Sequence, residues 1–186
     1  MRKIVYAINL TADGCCDHSK MVPDDELLEY HARLVRDVDA LIFGRITYQL
    51  MVPYWPDVAR SPSGQTKADV DFAQAFDSVS KIIVFSKSLA RTEDEKARIV
   101  RADLKDEVLK LKHEEGKDIL VGGVNIPSQL MKLGLIDEYR FVVQPILAGE
   151  GRRLFDGVIL PQELRLKLVE STALKSGCIA LRYSKQ

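Results

Sequence analysis

The sequence is poor in the residues that most often carry catalysis or bind metals. It contains three cysteines and three histidines among 186 residues, and no two histidines lie at the spacing of a metal site. Cys15, Cys16 and Cys178 form neither a disulfide framework nor a C-x-x-C motif. A G-x-S-x-G nucleophile turn and a phosphate loop ending in G-K-S/T are also missing. These absences argue against triad, zinc and P-loop chemistry, and we expect no metal ion.

Excess charge of one sign and long apolar runs are absent too. The 27 basic and 27 acidic residues cancel, so no overall positive field favours a nucleic-acid backbone or an anionic membrane. No apolar run approaches the ~20 residues that span a bilayer, and the chain begins with strand-like sequence rather than a signal peptide. We therefore expect a cytoplasmic protein without nucleic-acid or membrane partners, in which any anion is bound locally.

The most informative stretch that is present runs from residue 118 to 127. The apolar run 119–121 predicts a short strand buried on both faces, and apolar residues then recur at helical spacing. Gly122 and Gly123 form the junction, where a helix start offers unpaired amides and the missing Cβ atoms admit a phosphate. The junction predicts a pyrophosphate cradle, in which a branched side chain at Gly123 would fill the space of the phosphates. The alternative is a tight turn without a ligand.

The remaining chain alternates between strand and helix patterns. We predict further strands at 3–11, 40–43, 81–87, 97–100, 137–146, 164–174 and 178–183. We predict further helices that start at 23–26, 69 and 104. Strands that alternate with helices favour a parallel sheet, whereas the last two strands favour an antiparallel hairpin around 175–177. The fold class is therefore α/β, with a mixed, mostly parallel sheet.

Two features of the first half allow more than one interpretation. The proline-rich segment 53–66 predicts a long loop, which covers a site or lies in a subunit contact. His31 falls on the apolar face of the first predicted helix with Leu34, Val35 and Val38. There, a hydrogen-bonded core histidine is favoured over a catalytic one.

Two other predicted strands end in residues that suit a phosphate. Gly44 joins the second strand to a possible helix start, and Arg45 adds a fork-shaped donor unless it forms a surface ion pair. Ser86 and Lys87 follow the third strand and suit an additional phosphate, although such a pair is also ordinary in loops. Several strand-end anion sites with few catalytic groups are typical of an enzyme whose reactive atoms belong to a cofactor.

Five motifs in this order resemble the dihydrofolate reductase superfamily. They are TADG at 11–14, GRIT at 44–47, VFSK at 84–87, VGG at 121–123, and LIDE at 135–138 leading to PILAGEG at 145–151. Within the superfamily the chain is most similar to the reductase domain of the bifunctional deaminase-reductase of riboflavin biosynthesis. The resemblance covers nearly the whole chain. It implies one three-layer, dihydrofolate-reductase-like domain over residues 1–186, with helices on both faces of the sheet.

The resemblance also implies NADPH binding and hydride transfer to a conjugated C=N or a ribosyl carbonyl. The substrate would be a small heterocyclic or ribosyl compound, as for 5-amino-6-(5-phosphoribosylamino)uracil reductase, and the protein would form a homodimer. Asp13 would face the substrate. The implied cofactor ligands are Gly44, Arg45 and Thr47 at the phosphates, Ser86 and Lys87 with Arg45 at the 2′-phosphate, Gly122, Gly123 and Val124 at the pyrophosphate, and Asn9 near the nicotinamide.

Two alternative functions are compatible with the same motifs. Folate reductases place an acid just inside the first helix after a proline, and here Asp25 or Glu26 would take that catalytic place after Pro23. The preceding loop, however, lacks the usual tryptophan-containing pattern of those enzymes. The other alternative is a non-catalytic, nucleotide-binding dimer. The zinc-binding deaminase half of the riboflavin enzyme is missing from this sequence, so the chain would perform the reduction alone.

Overall fold

Strands and helices alternate along the computed structural model, which describes residues 1–22 and 24–186. The strands are β1 (Ile4–Thr11), β2 (Val38–Gly44), β3 (Lys81–Phe85), β4 (Ala97–Val100), β5 (Asp118–Val121), β6 (Glu138–Gln144), β7 (Leu166–Ala173) and β8 (Ile179–Lys185). The helices are α1 (Asp25–Arg36), α2 (Arg45–Met51), α3 (Trp55–Arg60), α4 (Lys67–Asp77), α5 (Leu104–His113) and α6 (Asn125–Lys132). Pro23, where we expected the first helix to start, lies outside the described residues.

All eight strands belong to one sheet with the order β4-β3-β2-β5-β1-β6-β8-β7. The first six strands in this order are parallel, whereas β8 runs antiparallel to β6 and β7 antiparallel to β8. Gly177, with a φ of 86°, closes the turn between β7 and β8 by donating its amide to Leu174. The predicted mixed sheet with a C-terminal antiparallel hairpin is confirmed.

The helices cover both faces of the sheet because the central strands are apolar on both sides. On one face, Leu41 and Phe43 of β2 pack with Leu34 of α1 and Phe72 of α4. On the other face, the core consists of residues from β2, β5, α5 and α6, among them Ala40, Ile42, Ile119, Val108 and Leu130. This arrangement confirms the three-layer α/β fold.

Strand β5 ends earlier than the strands on either side of it. Its last residue, Val121, lies opposite Tyr6 of β1 and Ile42 of β2. Strand β1 continues from there to Thr11 alongside β6, a further five residues or about 16 Å. The carboxyl edge of the sheet therefore has a notch between β1 and β2, and the glycine turn after β5 forms its floor.

The structure corrects three details of the predicted elements. Val38 lies in β2 and not on the face of α1. The segment 53–66 is not one long loop, because it contains α3, whose first turn accommodates Pro56. Trp55 of this helix packs on Phe72 of α4, with ring centroids 4.5 Å apart. The third strand ends at 85 instead of 87, because the Ser86 hydroxyl accepts the amides of residues 88 and 89 and turns the chain.

Candidate functional site

A crevice is expected where neighbouring parallel strands send their connections to opposite faces of the sheet. Strand β2 continues into α2, whose Tyr48 packs in the core on the face of α1 and α4. Strand β5 continues into α6, whose Leu130 packs in the core on the opposite face. Because β2 and β5 are adjacent, the crevice lies at their carboxyl ends, at the notch in the sheet edge.

Gly44 and the two glycines after β5 meet at this notch. The Gly122 amide donates to the carbonyl of Ile42, at 3.1 Å. A Cβ atom added to Gly44 would lie 3.4 Å from Ile126 of α6. The structure thus brings together the two strand-to-helix junctions that the sequence singled out.

The two helices that start at the notch, like α3, have no side chain that caps their N-terminus. Asp24, Thr66 and Asp103 cap α1, α4 and α5 with their side chains, whereas α2 and α6 begin without a side-chain cap. Within the described residues, the amides of 45–47 and 123–126 have no protein acceptor. Free amides at two adjacent helix starts can bind the oxygens of an anion.

The glycine turn is held between a tyrosine and a threonine. The hydroxyl of Tyr6 donates to the carbonyl oxygen of Gly123 at 3.0 Å. Gly123 has a φ of 84°, and a Cβ atom there would collide with the hydroxyl of Thr47. At Gly122 a Cβ atom would lie 3.0 Å from the ring of Phe43. Our reason for the two glycines is therefore corrected: added side chains would meet protein atoms and, at Gly123, a strained backbone before they met a phosphate.

A row of basic residues follows the carboxyl ends of three adjacent strands. Gly44 of β2 lies opposite Phe85 of β3, which lies opposite Val100 of β4. The next residues are therefore neighbours on the sheet edge: Arg45, Ser86 with Lys87, and Arg101. Arg101 was missed in the sequence, although a basic residue directly after the predicted strand 97–100 is the signal that could have identified it.

Within the described residues, the basic side chains of this row form no ion pair with an acidic side chain. Arg45 donates to the side-chain oxygen of Gln49 at 2.9 Å, so the surface ion pair that we considered for it is not formed. Arg101 donates to the carbonyl of Leu89, and Lys87 is exposed. The row therefore keeps positive charge available for an anionic group.

Asn9 lies in the part of β1 that extends beyond β5, and it is hydrogen-bonded to a histidine. Its side-chain oxygen is 2.8 Å from Nε2 of His31 on α1. Burial lowers the pKa of His31 to about 4, so the imidazole is neutral at pH 7 and Nε2–H donates to the amide oxygen. His31 is thus a hydrogen-bonded histidine, as favoured, and it fixes the orientation of Asn9 at the notch.

Asp13 connects the loop after β1 to the glycine loop of residues 147–155. Its carboxylate accepts the Thr11 hydroxyl and the amides of Ala148 and Gly149, at 3.1 and 3.0 Å. These hydrogen bonds and the nearby Arg153 guanidinium hold the pKa of Asp13 well below its usual range. The carboxylate therefore remains ionised at neutral pH and acts as an acceptor that joins two loops.

Other contacts strengthen this connection between the loops. The Cys16 amide donates to the Arg152 carbonyl at 2.8 Å, and Lys20 pairs with Glu150 at 2.7 Å. The buried side chain of Gln144 accepts the Val22 amide and donates to its carbonyl. The loop of residues 12–22 is thus fastened along its length.

Asp25 and Glu26, the predicted pterin-binding acids, contact other parts of the protein. Asp25 accepts the Thr66 hydroxyl at 3.2 Å, and Glu26 accepts the Lys175 amide at 2.6 Å. The first contact joins the starts of α1 and α4, and the second joins α1 to the β7–β8 turn. Both acids thus have structural partners.

A cavity of about 500 Å³ lies away from the notch. Its lining includes Asp77 at the end of α4 and residues 93–96, which precede β4. It is therefore at the amino-terminal edge of the sheet, whereas ligands of open parallel sheets bind at the carboxyl edge.

In the part of the chain that the structure describes, no helix is long and apolar enough to cross a membrane.

Comparison with known proteins identifies a matching family and a distant relative over nearly the whole chain. The family model described as the RibD C-terminal domain matches residues 2–180. The uncharacterized protein YyaP of Bacillus subtilis is 27% identical over 190 residues, which cover 98% of this chain and 94% of YyaP.

Solved structures share the fold. A putative riboflavin biosynthesis protein from Shewanella is 21% identical, with a TM-score of 0.71 and coverage of 100% of this chain and 99% of that one. A diaminohydroxyphosphoribosylaminopyrimidine deaminase/5-amino-6-(5-phosphoribosylamino)uracil reductase from Thermotoga maritima is 17% identical, with a TM-score of 0.69. The match covers 100% of this chain but 57% of the Thermotoga chain.

The packing of the glycine turn predicts that alanine lowers the free energy of unfolding by different amounts at two glycines with nearly equal φ angles. Gly64 and Gly123 have φ values of 82° and 84°, but an added Cβ atom has nothing within 4 Å at Gly64. Gly64→Ala should cost only the backbone strain of about 1 kcal/mol. Gly123→Ala should lower the free energy of unfolding by more than this, because the Thr47 side chain must also move. Urea unfolding of both variants measures the difference, and equal costs would show that Thr47 adjusts freely.

The carboxylate of Asp13 should stabilise the two loops in a pH-dependent way. Because its folded pKa is lowered, its contribution is complete above the ordinary aspartate pKa of about 3.9 and declines as the pH falls below it. Hydrogen exchange at the amides of Ala148 and Gly149 should therefore accelerate in Asp13→Asn at pH 7. The difference in exchange rate between Asp13→Asn and the wild type should become smaller as the pH falls toward 3. An unchanged exchange rate at pH 7 would contradict the joining role.

Proposed function

The chain belongs to the RibD C-terminal domain family, and from this premise we propose that it is an NADPH-dependent reductase. The proposed substrate is a small heterocyclic or ribosyl compound of the type reduced in riboflavin biosynthesis. The observation that carries the proposal is the convergence of Gly44 and Gly122–Gly123 at the notch, where two uncapped helices start. Such a junction suits the pyrophosphate of a dinucleotide.

The residues at the notch fit the cofactor in charge and in hydrogen bonding. The free amides of 45–47 and 123–126 provide donors for the pyrophosphate at two adjacent helix starts. The reduced nicotinamide supplies a hydride when it is bound. The protein supplies binding and orientation, and Asn9, oriented by His31, offers its amide N–H groups beside the proposed nicotinamide position.

The basic row supports the choice of NADPH over NADH. Arg45 and Arg101 carry fork-shaped guanidinium groups that suit a phosphate, and Ser86 and Lys87 lie between them on the sheet edge. The row begins at the start of α2, next to the proposed pyrophosphate position. A 2′-phosphate on the adenosine would thus meet several positive charges, whereas NADH lacks the group that they would bind.

The structure offers no observation that favours a folate reductase. Asp25 and Glu26 would have to bind a pterin, but their carboxylates accept protein donors. Asp13, which we expected on the substrate side, is an ionised acceptor that fastens the two loops beside the end of β1. We propose that these loops shape the substrate side of the notch.

Cofactor binding is tested by comparing NADPH and NADH on the same variants. Arg45→Ala and Arg101→Ala should each weaken NADPH binding about tenfold or more, because each loses a charge-assisted contact with the phosphate. Binding of NADH should not change. Arg98→Ala is the matched control, since Arg98 pairs with Glu107. The dissociation constants can be measured by cofactor fluorescence.

Three results would argue against parts of the proposal. Equal effects on NADPH and NADH would remove the 2′-phosphate assignment. A wild-type protein that binds neither nucleotide would remove the reductase function. Tight NADPH binding without oxidation by any pyrimidine riboside phosphate or pteridine would favour the non-catalytic nucleotide-binding dimer instead.

We also propose that the protein is a homodimer that associates through β7. This strand is at the edge of the sheet, and Leu168 and Val169 are each half exposed. Its free edge can pair with a second copy, and Lys167 and Glu170 supply opposite charges along the strand. The wild-type protein should elute with a mass near twice 20.9 kDa in light scattering, and Val169→Lys should shift it toward the monomer. A monomeric wild type would contradict the proposal.

A further inference from the structure

Tyr6 places a hydroxyl group in a mostly apolar part of the core. The residue is fully buried, and its ring packs edge-on against Tyr139 and Phe141, at centroid distances of 6.3 and 6.2 Å. The hydroxyl reaches out of this cluster and donates to the carbonyl of Gly123 at 3.0 Å. A phenylalanine would fill the same space without a polar group that needs a partner. The position of the hydroxyl therefore calls for an explanation beyond packing.

The hydrogen bond determines which way the next amide points. A trans peptide unit is planar, and its C=O and N–H groups point in opposite directions. Because Tyr6 holds the Gly123 carbonyl toward the core, the N–H of Val124 must point in the opposite direction, away from the Tyr6 hydroxyl. This amide is one of those without a protein acceptor at the start of α6.

A second contact keeps the turn from rotating. Thr47 of α2 lies against the Cα of Gly123, on which an added Cβ atom would collide with its hydroxyl. Gly123 has a φ of 84°, a conformation that few other residues adopt. The peptide after Gly123 is thus held through its carbonyl from β1 and confined through its Cα from α2.

We propose that Tyr6 is a positioning residue for the pyrophosphate of the cofactor: its buried hydroxyl fixes the peptide between Gly123 and Val124 so that the Val124 amide donates to the anion. This inference rests on the proposed function and adds to it a residue that contacts no ligand itself. Burial raises the pKa of Tyr6 well above its ordinary value, so the phenol remains protonated and can donate throughout the working range of pH.

Tyr139 provides a matched control for the removal of one hydroxyl. It belongs to the same aromatic cluster and is 2% exposed, but its hydroxyl makes no hydrogen bond to the described turn of residues 122–124. Tyr6→Phe and Tyr139→Phe therefore remove the same atom from the same core. A general loss of packing should affect both variants, whereas a loss of positioning should affect only Tyr6→Phe.

The experiment measures three ligands on the wild type and both variants. Tyr6→Phe should weaken the binding of NADPH and of NADH about tenfold, which corresponds to about 1.4 kcal/mol, because both contain the pyrophosphate. Binding of 2′-AMP, which has no pyrophosphate, should be unchanged. Tyr139→Phe should match the wild type for all three ligands. In the wild type, inorganic pyrophosphate should shift the NMR resonance of the Val124 amide, a measurement that needs no variant.

Each other result has a definite meaning. Equal NADPH affinity in wild type and Tyr6→Phe would overturn the positioning role and leave the reductase proposal intact. Parallel losses for NADPH and 2′-AMP would show that Tyr6 supports the fold in general, which also overturns the inference. A wild type that binds neither NADPH nor NADH would overturn the proposed function itself. A Val124 amide that does not respond to pyrophosphate would overturn the inference even where Tyr6→Phe fails to fold.

Discussion

The early end of β5 is the constraint on which the candidate site depends. If β5 were as long as β1, its residues would pair with Ala7–Thr11 and fill the carboxyl edge of the sheet. Instead the strand stops at Val121, while its neighbours continue. A strand that stops inside a sheet exposes the main-chain groups of its neighbours, which costs free energy unless other partners replace the lost hydrogen bonds. The notch is thus a place where the fold leaves polar main-chain groups available to a ligand.

The turn that follows β5 must be both open and rigid. Under the proposed function it must be open because an anion has to reach the amides, which have no protein acceptor. Glycine is the most flexible residue. A mobile amide loses conformational entropy when it binds an anion, and this loss weakens binding. The protein compensates from both sides of the sheet: Tyr6 holds one carbonyl, Thr47 confines one Cα, and Phe43 packs beside Gly122. The loops around Asp13 show the same use of fixed contacts at the other side of the notch.

Local sequence patterns predicted the elements well, because most of the strands and helices follow their own apolar periodicity. Gly44 and Gly122–Gly123 were identified because a change of period at a glycine is visible in one short window. Contacts between distant residues were not visible in this way. Nothing in the pattern around Tyr6 shows that its hydroxyl meets Gly123, 117 residues away. The pairing of Asp13 with the amides of the glycine loop likewise depends on the fold, as does the alignment of Arg101 with Arg45 across three strands.

The balanced net charge explains why the proposed anion site would have to be built from local parts. With equal numbers of acidic and basic residues, the molecule has no long-range positive field that could gather a dinucleotide. The carboxyl ends of the strands bring together hydrogen-bond donors and positive charges. The donors are backbone amides at two helix starts, and the charges are basic side chains that follow three adjacent strands. The amides are fixed by the fold and attract any phosphate, whereas Arg45, Lys87 and Arg101 are exposed and screened by salt. The backbone donors should therefore dominate affinity for the shared pyrophosphate, and the side chains should mainly decide between phosphorylated and unphosphorylated cofactors.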